Sequence, residues 1–187
     1  MKSLENITEF LNTHDELSQD KLDTLFEVLY PEVKKIANAQ LHKMSSHHVM
    51  SATVLVNECY LKLKKSKFIH VKSEKHFYTL TSRCMRFYLV DIFRNSCTDK
   101  NKRIETEFHM EKIEGEGSVQ IDLLELEHAL KQLEQINKNL LNIVELRFFG
   151  GFSLEEIADL YSTNISSIYQ KWLLAKSLIL NFIKSDE

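Results

Sequence analysis

The 187 residues suit one ordinary domain or two small helical domains, since domains commonly run to about 100–150 residues. Hydrophobic residues make up 43% of the chain, while four glycines and one proline leave few of the turns that an all-β fold needs. No apolar run approaches the roughly 18 residues that span a bilayer, and the first residues lack a signal-peptide core. We therefore expect an all-α protein of the cytoplasm that does not contact a membrane.

Charge is unevenly distributed along the chain. The net charge of −3 argues against a uniformly basic nucleic-acid binder. Residues 61–105, however, contain twelve Lys or Arg and only four Asp or Glu, which makes this segment a candidate phosphate-binding surface. The lysines at the start of this segment could instead lie at the solvated end of a helix. Arg83 and Arg86 could likewise pair with acids such as Glu74 or Asp91.

Apolar residues recur with a helical period in three segments of the first half of the chain. The first segment spans 16–43, and Pro31 is expected to kink it or divide it into two helices, because proline removes a backbone donor. Further helices are predicted over 51–65 and 74–93. The last of these places three arginines on one broad face: Arg83, Arg86 and Arg94.

The helical pattern dissolves over 97–121, which is charged and has no apolar period. We expect a linker there, so that residues 1–96 and 122–187 form two small helical bundles. Four helices are predicted in the second bundle, and Gly150 and Gly151 supply the stop of one of them. The three cysteines are too few and too far apart for a disulfide framework or a zinc knuckle, and we expect buried thiols.

Residues 153–179 have the layout of a helix-turn-helix. Ser153 and Glu156 form a capping box for a short first helix. Ala158 is small enough to let two helices cross closely, and Asn164 can cap the second helix. Five side chains would then point into a major groove: Ser166, Ser167, Tyr169, Gln170 and Lys171. An ordinary helical hairpin has the same spacing, so the spacing alone leaves DNA binding open.

Three blocks of the chain match motifs that occur together, and in this order, in one known family. They are LVNECYLKL at 55–63, a block with His76-Phe77 and arginines at 76–94, and VELRFFGG at 144–151 followed by Ser153 and two glutamates. They resemble the extracytoplasmic-function (ECF) sigma factors of bacterial RNA polymerase. The first block is similar to the polymerase-docking helix, with Asn57 where Gln or His is usual. The resemblance covers the chain from about residue 21 to residue 183.

The resemblance implies a transcription initiation factor that is not an enzyme and uses no cofactor, metal or small-molecule substrate. Its partners would be core RNA polymerase and promoter DNA, and the sequence leaves an anti-sigma partner open. Residues 1–96 would correspond to sigma region 2, which docks on polymerase and melts the minus-ten element. Residues 122–187 would correspond to sigma region 4, which binds the minus-thirty-five element. The polymerase-binding residues would be Asn57, Glu58, Lys62 and Lys65.

The basic segment would hold the melted promoter strand. A single strand needs a cationic path and aromatic platforms for unstacked bases. The residues that fit this role in the minus-ten contact are Lys67, Phe68, His70, Lys72, Lys75, Tyr78, Arg83, Arg86 and Arg94. Phe77 also suits a role in holding the single strand. For both Phe77 and Tyr78, packing in the core is the alternative.

The recognition helix departs from the family pattern. Lys and Arg are usual where this chain has Tyr169 and Gln170, and Leu173 replaces a further basic residue. Residues 122–187 contain six basic and ten acidic residues, so we expect weak DNA binding by this bundle in isolation. Polymerase could compensate by holding the bundle beside the upstream element.

Two other classes of function compete with a sigma factor. One is a helix-turn-helix regulator that binds an operator without polymerase, and the need for 57–65 in polymerase binding would discriminate the two. The other is a metal-dependent helical enzyme, suggested by His42, His47 and His48. Adjacent histidines on a helix point apart, whereas helical zinc ligands are spaced by three or four residues, so a metal site is disfavoured.

Overall fold

The computed structural model describes residues 7, 10, 18–43, 50–66, 71–98, 107–111 and 118–185. The first unit consists of helices α1 (Gln19–Val28), α2 (Tyr30–His42), α3 (Ala52–Lys65) and α4 (Glu74–Thr98). A hairpin of β1 (Glu107–Glu111) and β2 (Ser118–Asp122) follows. The second unit consists of α5 (Leu123–Ile136), α6 (Lys138–Val144), a π-helical turn (Glu145–Phe149), α7 (Leu154–Leu160) and α8 (Ile165–Ser185). The expected helical fold is confirmed.

Local signals set the helix boundaries of the first unit. The N–H of Lys21 donates to the hydroxyl of Ser18, and Ser51 caps α3 in the same way. Leu29 separates α1 from α2, as expected from Pro31, which lies in the first turn of α2. In that turn the missing N–H of proline needs no partner. The expected division of the first helical segment is confirmed.

The second unit contains the helix-turn-helix. The N–H of Glu156 donates to Ser153 Oγ at 3.1 Å, and the N–H of Ser153 donates to Glu156 Oε2 at 2.7 Å, which completes the predicted capping box. Ser162 adopts a left-handed backbone with φ of 49° in the turn. The N–H of Ser167 donates to Asn164 Oδ1 at 2.7 Å, so Asn164 caps α8 as expected.

The β-hairpin lies in the segment that we expected to be a linker. The strands are antiparallel, with Phe108 opposite Ile121 and Met110 opposite Val119. These apolar residues alternate with polar ones at a period of two, which is the pattern of a strand rather than of a helix. The absence of a helical period therefore did not mean the absence of structure. Helix α4 also runs to Thr98, beyond its predicted end at residue 93.

The two units pack against each other. Buried side chains of both units belong to one continuous hydrophobic cluster. Within it, the ring centre of Tyr78 in the first unit lies 5.1 Å from the ring centre of Phe152 in the second. The division of function between residues 1–96 and 122–187 stays a prediction. In the part of the chain that the structure describes, no helix is both long and apolar enough to span a membrane.

Candidate nucleic-acid and polymerase interfaces

The predicted recognition residues lie on the outer side of α8. Ile168 and Trp172 bury the inner side of this helix against the second unit, and Ala158 is buried in α7. Four of the five predicted recognition residues are exposed and Ser167 is partly exposed: Ser166, Ser167, Tyr169, Gln170 and Lys171. The structure thus brings all five together at the start of α8, and their contact with a DNA groove stays a prediction.

The arginines of α4 are not equally accessible. Arg94 is exposed, whereas only 3% of the Arg86 surface is in contact with solvent. Arg86 Nη2 donates to Glu145 Oε1 at 2.6 Å, and its Nη1 pairs with Glu127. Arg83 Nε donates to the same oxygen of Glu145 at 3.4 Å. Arg83 and Arg86 therefore face the second unit in this arrangement, and their predicted contact with DNA requires that the units separate.

The partners of these arginines are not the ones that the sequence suggested. Asp91 binds Lys62 Nζ at 2.8 Å, and Glu74 accepts a hydrogen bond from the hydroxyl of Tyr78 at 2.8 Å. The acids that pair with Arg83 come from the second unit, where Glu134 accepts from Arg83 Nη1 at 3.1 Å. A sequence separation of 51 residues gives no local signal for such a pair.

The aromatic residues at the start of α4 pack in the core, whereas the basic residues around them lie at the surface or are partly exposed. Tyr78 is 3% exposed and Phe77 is fully buried, so the core-packing alternative describes both side chains in this arrangement. Burial, and then the hydrogen bond to Glu74, raise the pKa of Tyr78 well above its usual range. Lys72 is exposed, and Lys75 Nζ lies 4.0 Å from the centre of the Tyr161 ring. Three predicted DNA-binding residues lie outside the described residues: Lys67, Phe68 and His70.

Helix α3 presents the predicted polymerase-binding residues on its exposed side. Asn57, Lys62 and Lys65 are exposed and Glu58 is partly exposed, while Leu55, Val56, Cys59 and Leu63 fill the core. Two large apolar side chains also point outward, Val54 and Leu61, each 45% exposed. Neither was among the residues predicted from the sequence. They are seven residues apart and thus on one side of the helix, which was the available signal.

A cavity of about 530 Å³ lies between the units. Its lining includes the carboxylates of Glu32, Glu74, Glu156 and Asp159. Lys35 Nζ of the first unit lies 2.8 Å from Glu156 Oε1 of the second. This hydrogen bond lowers the pKa of Glu156. Acidic residues from both units thus surround a space that is not filled by side chains.

No group of three metal-ligating side chains occurs in the residues that the structure describes. His42 is exposed at the end of α2, and His47 and His48 lie outside those residues. Cys59 is buried, as expected, and Cys84 is partly buried beside it. The interaction of the two neighbouring thiols is the main cause that raises the pKa of Cys59 and lowers that of Cys84.

Comparison with known families decides the class of this protein. The family model described as "ECF sigma factor" matches residues 4–182, which include both helical units and the hairpin between them. The chain belongs to the ECF sigma factor family. Members of this family act in transcription initiation with core RNA polymerase and promoter DNA, and they are not enzymes.

Similarity to a solved sigma factor is more distant. A co-crystal structure of the sigma factor RpoE from Bartonella quintana, in complex with the anti-sigma factor NepR, aligns with 88% of this sigma factor and 99% of that chain. The two are 17% identical, with a TM-score of 0.37. A search of curated proteins found no match. The assignment to the family therefore depends on the family model.

Proposed function

We propose that this sigma factor docks on core RNA polymerase through α3, directs it to specific promoters and helps to melt the minus-ten element. The first unit would hold the melted strand through α4 and the basic loop before it, and the second unit would bind the minus-thirty-five element through α8. The observation that carries the proposal is the family match over residues 4–182, because it spans α3, the basic helix α4 and the helix-turn-helix together.

The exposed side of α3 supports its role in docking. One side of this helix is fully committed to the core, so the opposite side is available to a partner. Val54 and Leu61 add an apolar centre between polar residues such as Glu58 and Lys62. Apolar side chains surrounded by a polar rim are typical of protein–protein interfaces. We therefore add Val54 and Leu61 to the proposed polymerase-binding residues.

The charge distribution supports a division of DNA binding between the units. Residues 61–105 carry a surplus of eight positive charges, whereas residues 122–187 carry four more acidic than basic side chains. Counterion release from phosphates therefore favours the first unit. The second unit would depend on polymerase to hold α8 at the upstream element, because tethering raises its local concentration there.

The docking proposal predicts weaker polymerase binding when α3 is changed. Replacing Leu61 by Asp is expected to weaken binding of the full chain to core polymerase by about tenfold, because a charge would enter the apolar centre of the contact. Reversing the charges at Glu58 and Lys62 together should weaken it further. Binding is measured by fluorescence anisotropy of the labelled chain against increasing polymerase.

The matched control is Ile136→Asp, which places the same charge at a 61% exposed apolar residue of the second unit. This variant should bind polymerase as the unaltered chain does. Equal binding by the Ile136, Leu61 and charge-reversed variants, all with unchanged circular dichroism, would contradict docking through α3.

A further inference from the structure

Buried charges lie at the boundary between the units. Four charged side chains are buried among the described residues, and three of them meet at this boundary: Arg86, Glu127 and Glu145, which are 3%, 4% and 0% exposed. Arg83 extends this contact toward the surface, where it pairs with Glu134. A buried charge is tolerated only when it is paired, so this contact fixes how the two units face each other.

We propose that the three glutamates form an autoinhibitory latch, which covers Arg83 and Arg86 of α4 and keeps promoter DNA from these two arginines until the units separate. This inference depends on the proposed function, because it assumes that these arginines contact DNA. The acids of the latch are Glu127 and Glu134 on α5 and Glu145 in the π-helical turn. Core polymerase would release the latch when it binds the two units apart from each other.

The chemistry of the contact supports competition with phosphate. A guanidinium group binds carboxylate and phosphate oxygens with the same paired N–H donors. Arg86 uses Nε and Nη2 on the two oxygens of Glu145, at 3.3 and 2.6 Å. These are the donors that a DNA phosphate would need. One group cannot serve both partners, so DNA can bind Arg86 only after Glu145 has moved away.

The centre of the boundary is polar, which suits a contact that opens. A buried ion pair adds little net stability compared with apolar packing, because both charges lose their hydration when it forms. A cavity of about 530 Å³, lined by Glu32, Tyr78 and Phe152 among others, leaves another part of the boundary unfilled. Separation returns these charged groups to water, and it also opens apolar contacts such as that between Tyr78 and Phe152.

A glycine adapts the second unit to this close approach. Gly151 has a φ of 71°, and a Cβ built on it would lie 2.6 Å from the Cβ of Ala39 on α2. That distance is shorter than any non-bonded contact between carbon atoms, and a left-handed backbone also favours glycine. Glycine at residue 151 therefore fits the close approach to Ala39, and it fits the left-handed turn independently of that approach.

The latch covers one interface and leaves two others accessible. Tyr169 and Gln170 of α8 and Leu61 of α3 remain exposed while Arg86 is buried. Polymerase can therefore bind α3 in the closed state, before the first unit contacts DNA. This order would limit contacts between the free sigma factor and DNA, because Arg83 and Arg86 are covered until polymerase is present.

The test combines a conformational and a functional measurement on the full chain. Lys35 Nζ and Glu156 Oε1 lie 2.8 Å apart across the boundary, so a carbodiimide should join them in the closed state, and mass spectrometry can quantify that amide. Glu145→Gln removes the charge that both arginines bind while it keeps the size of the side chain. We expect roughly tenfold less Lys35–Glu156 product and roughly tenfold faster open-complex formation at limiting sigma factor. Glu125→Gln, an exposed residue of α5, is the matched control and should change neither value.

A second measurement needs no variant. Addition of core polymerase to the unaltered chain should reduce the Lys35–Glu156 product. The latch is wrong if polymerase leaves this product unchanged, if folded Glu145→Gln stays closed, or if it opens without faster initiation. If the proposed function is wrong, neither the unaltered chain nor Glu145→Gln would direct initiation, although the Lys35–Glu156 product would still be lost in Glu145→Gln. That result would also remove the autoinhibitory role.

Discussion

Replacing Phe77 by Ala is expected to lower the free energy of unfolding by about 3–5 kcal/mol, as is usual for a buried aromatic side chain. Phe77 is fully buried, and its ring lies 5.6 Å from that of Phe26 and 6.0 Å from that of Tyr78. The substitution leaves a cavity that the surrounding helices cannot fill. Denaturation by urea, followed by circular dichroism, measures the change.

Phe87→Ala is the matched control, because it makes the same deletion on the same helix at a side chain that is 41% exposed. Its cost should be about 1 kcal/mol, mainly because the ring no longer packs on the Arg86 guanidinium, which lies 4.6 Å from its centre. A cost at Phe77 no greater than that at Phe87 would contradict core packing. Phe77 would then become a candidate platform for an unstacked base.

Changes in α4 and in α8 are expected to affect DNA binding in different ways. Removing the phosphate contact of Arg83 or of Arg86 should cost about 1 kcal/mol each at moderate salt and reduce the salt dependence of promoter binding. Changes at Ser167 or Gln170 should instead alter the preferred upstream sequence by about 1–3 kcal/mol for each base contact that is removed, with little effect on the salt dependence. Lys171 is expected to contribute to both, because its charge lies among the recognition residues.

Because Glu145 is buried against the arginines of α4, a change at either arginine has an effect that does not involve DNA. This effect has to be removed before the arginine changes are compared with changes in α8. Arg86→Gln in the unaltered chain also removes the shorter of the two arginine contacts of the buried Glu145, so the arginine changes are made in a chain that already carries Glu145→Gln. Open-complex formation is then titrated with salt on one promoter and on variants of its upstream element. Unchanged affinity and salt dependence after removal of both arginines would contradict their contact with phosphate.

Features encoded by neighbouring residues were predictable from the sequence. The capping box of Ser153 and Glu156, the helix division near Pro31 and the cap at Asn164 each depend on contacts within four residues. The resemblance to the family rested on such local motifs as well. This explains why the helical fold and the arrangement of α8 agree with the expectations.

Features that depend on distant residues were not predictable. The sequence identified Arg86 as part of a basic segment, but it could not identify Glu145, 59 residues away, as its partner. Exposure of a charged side chain was inferred from its type, whereas tertiary contact decides it. The hairpin was missed for another reason, because a linker was inferred from the absence of a helical period although the apolar residues of this segment alternate as in a strand.

The most direct test of the central claim is run-off transcription with purified core polymerase over fragments of the source genome. With the sigma factor present, we expect transcripts that begin at defined sites and share one minus-ten and one minus-thirty-five sequence. These transcripts should be absent without it and strongly reduced with the Leu61→Asp chain. If the folded sigma factor added no new start sites to a core polymerase that initiates normally with another sigma factor, its proposed role in promoter selection would be wrong.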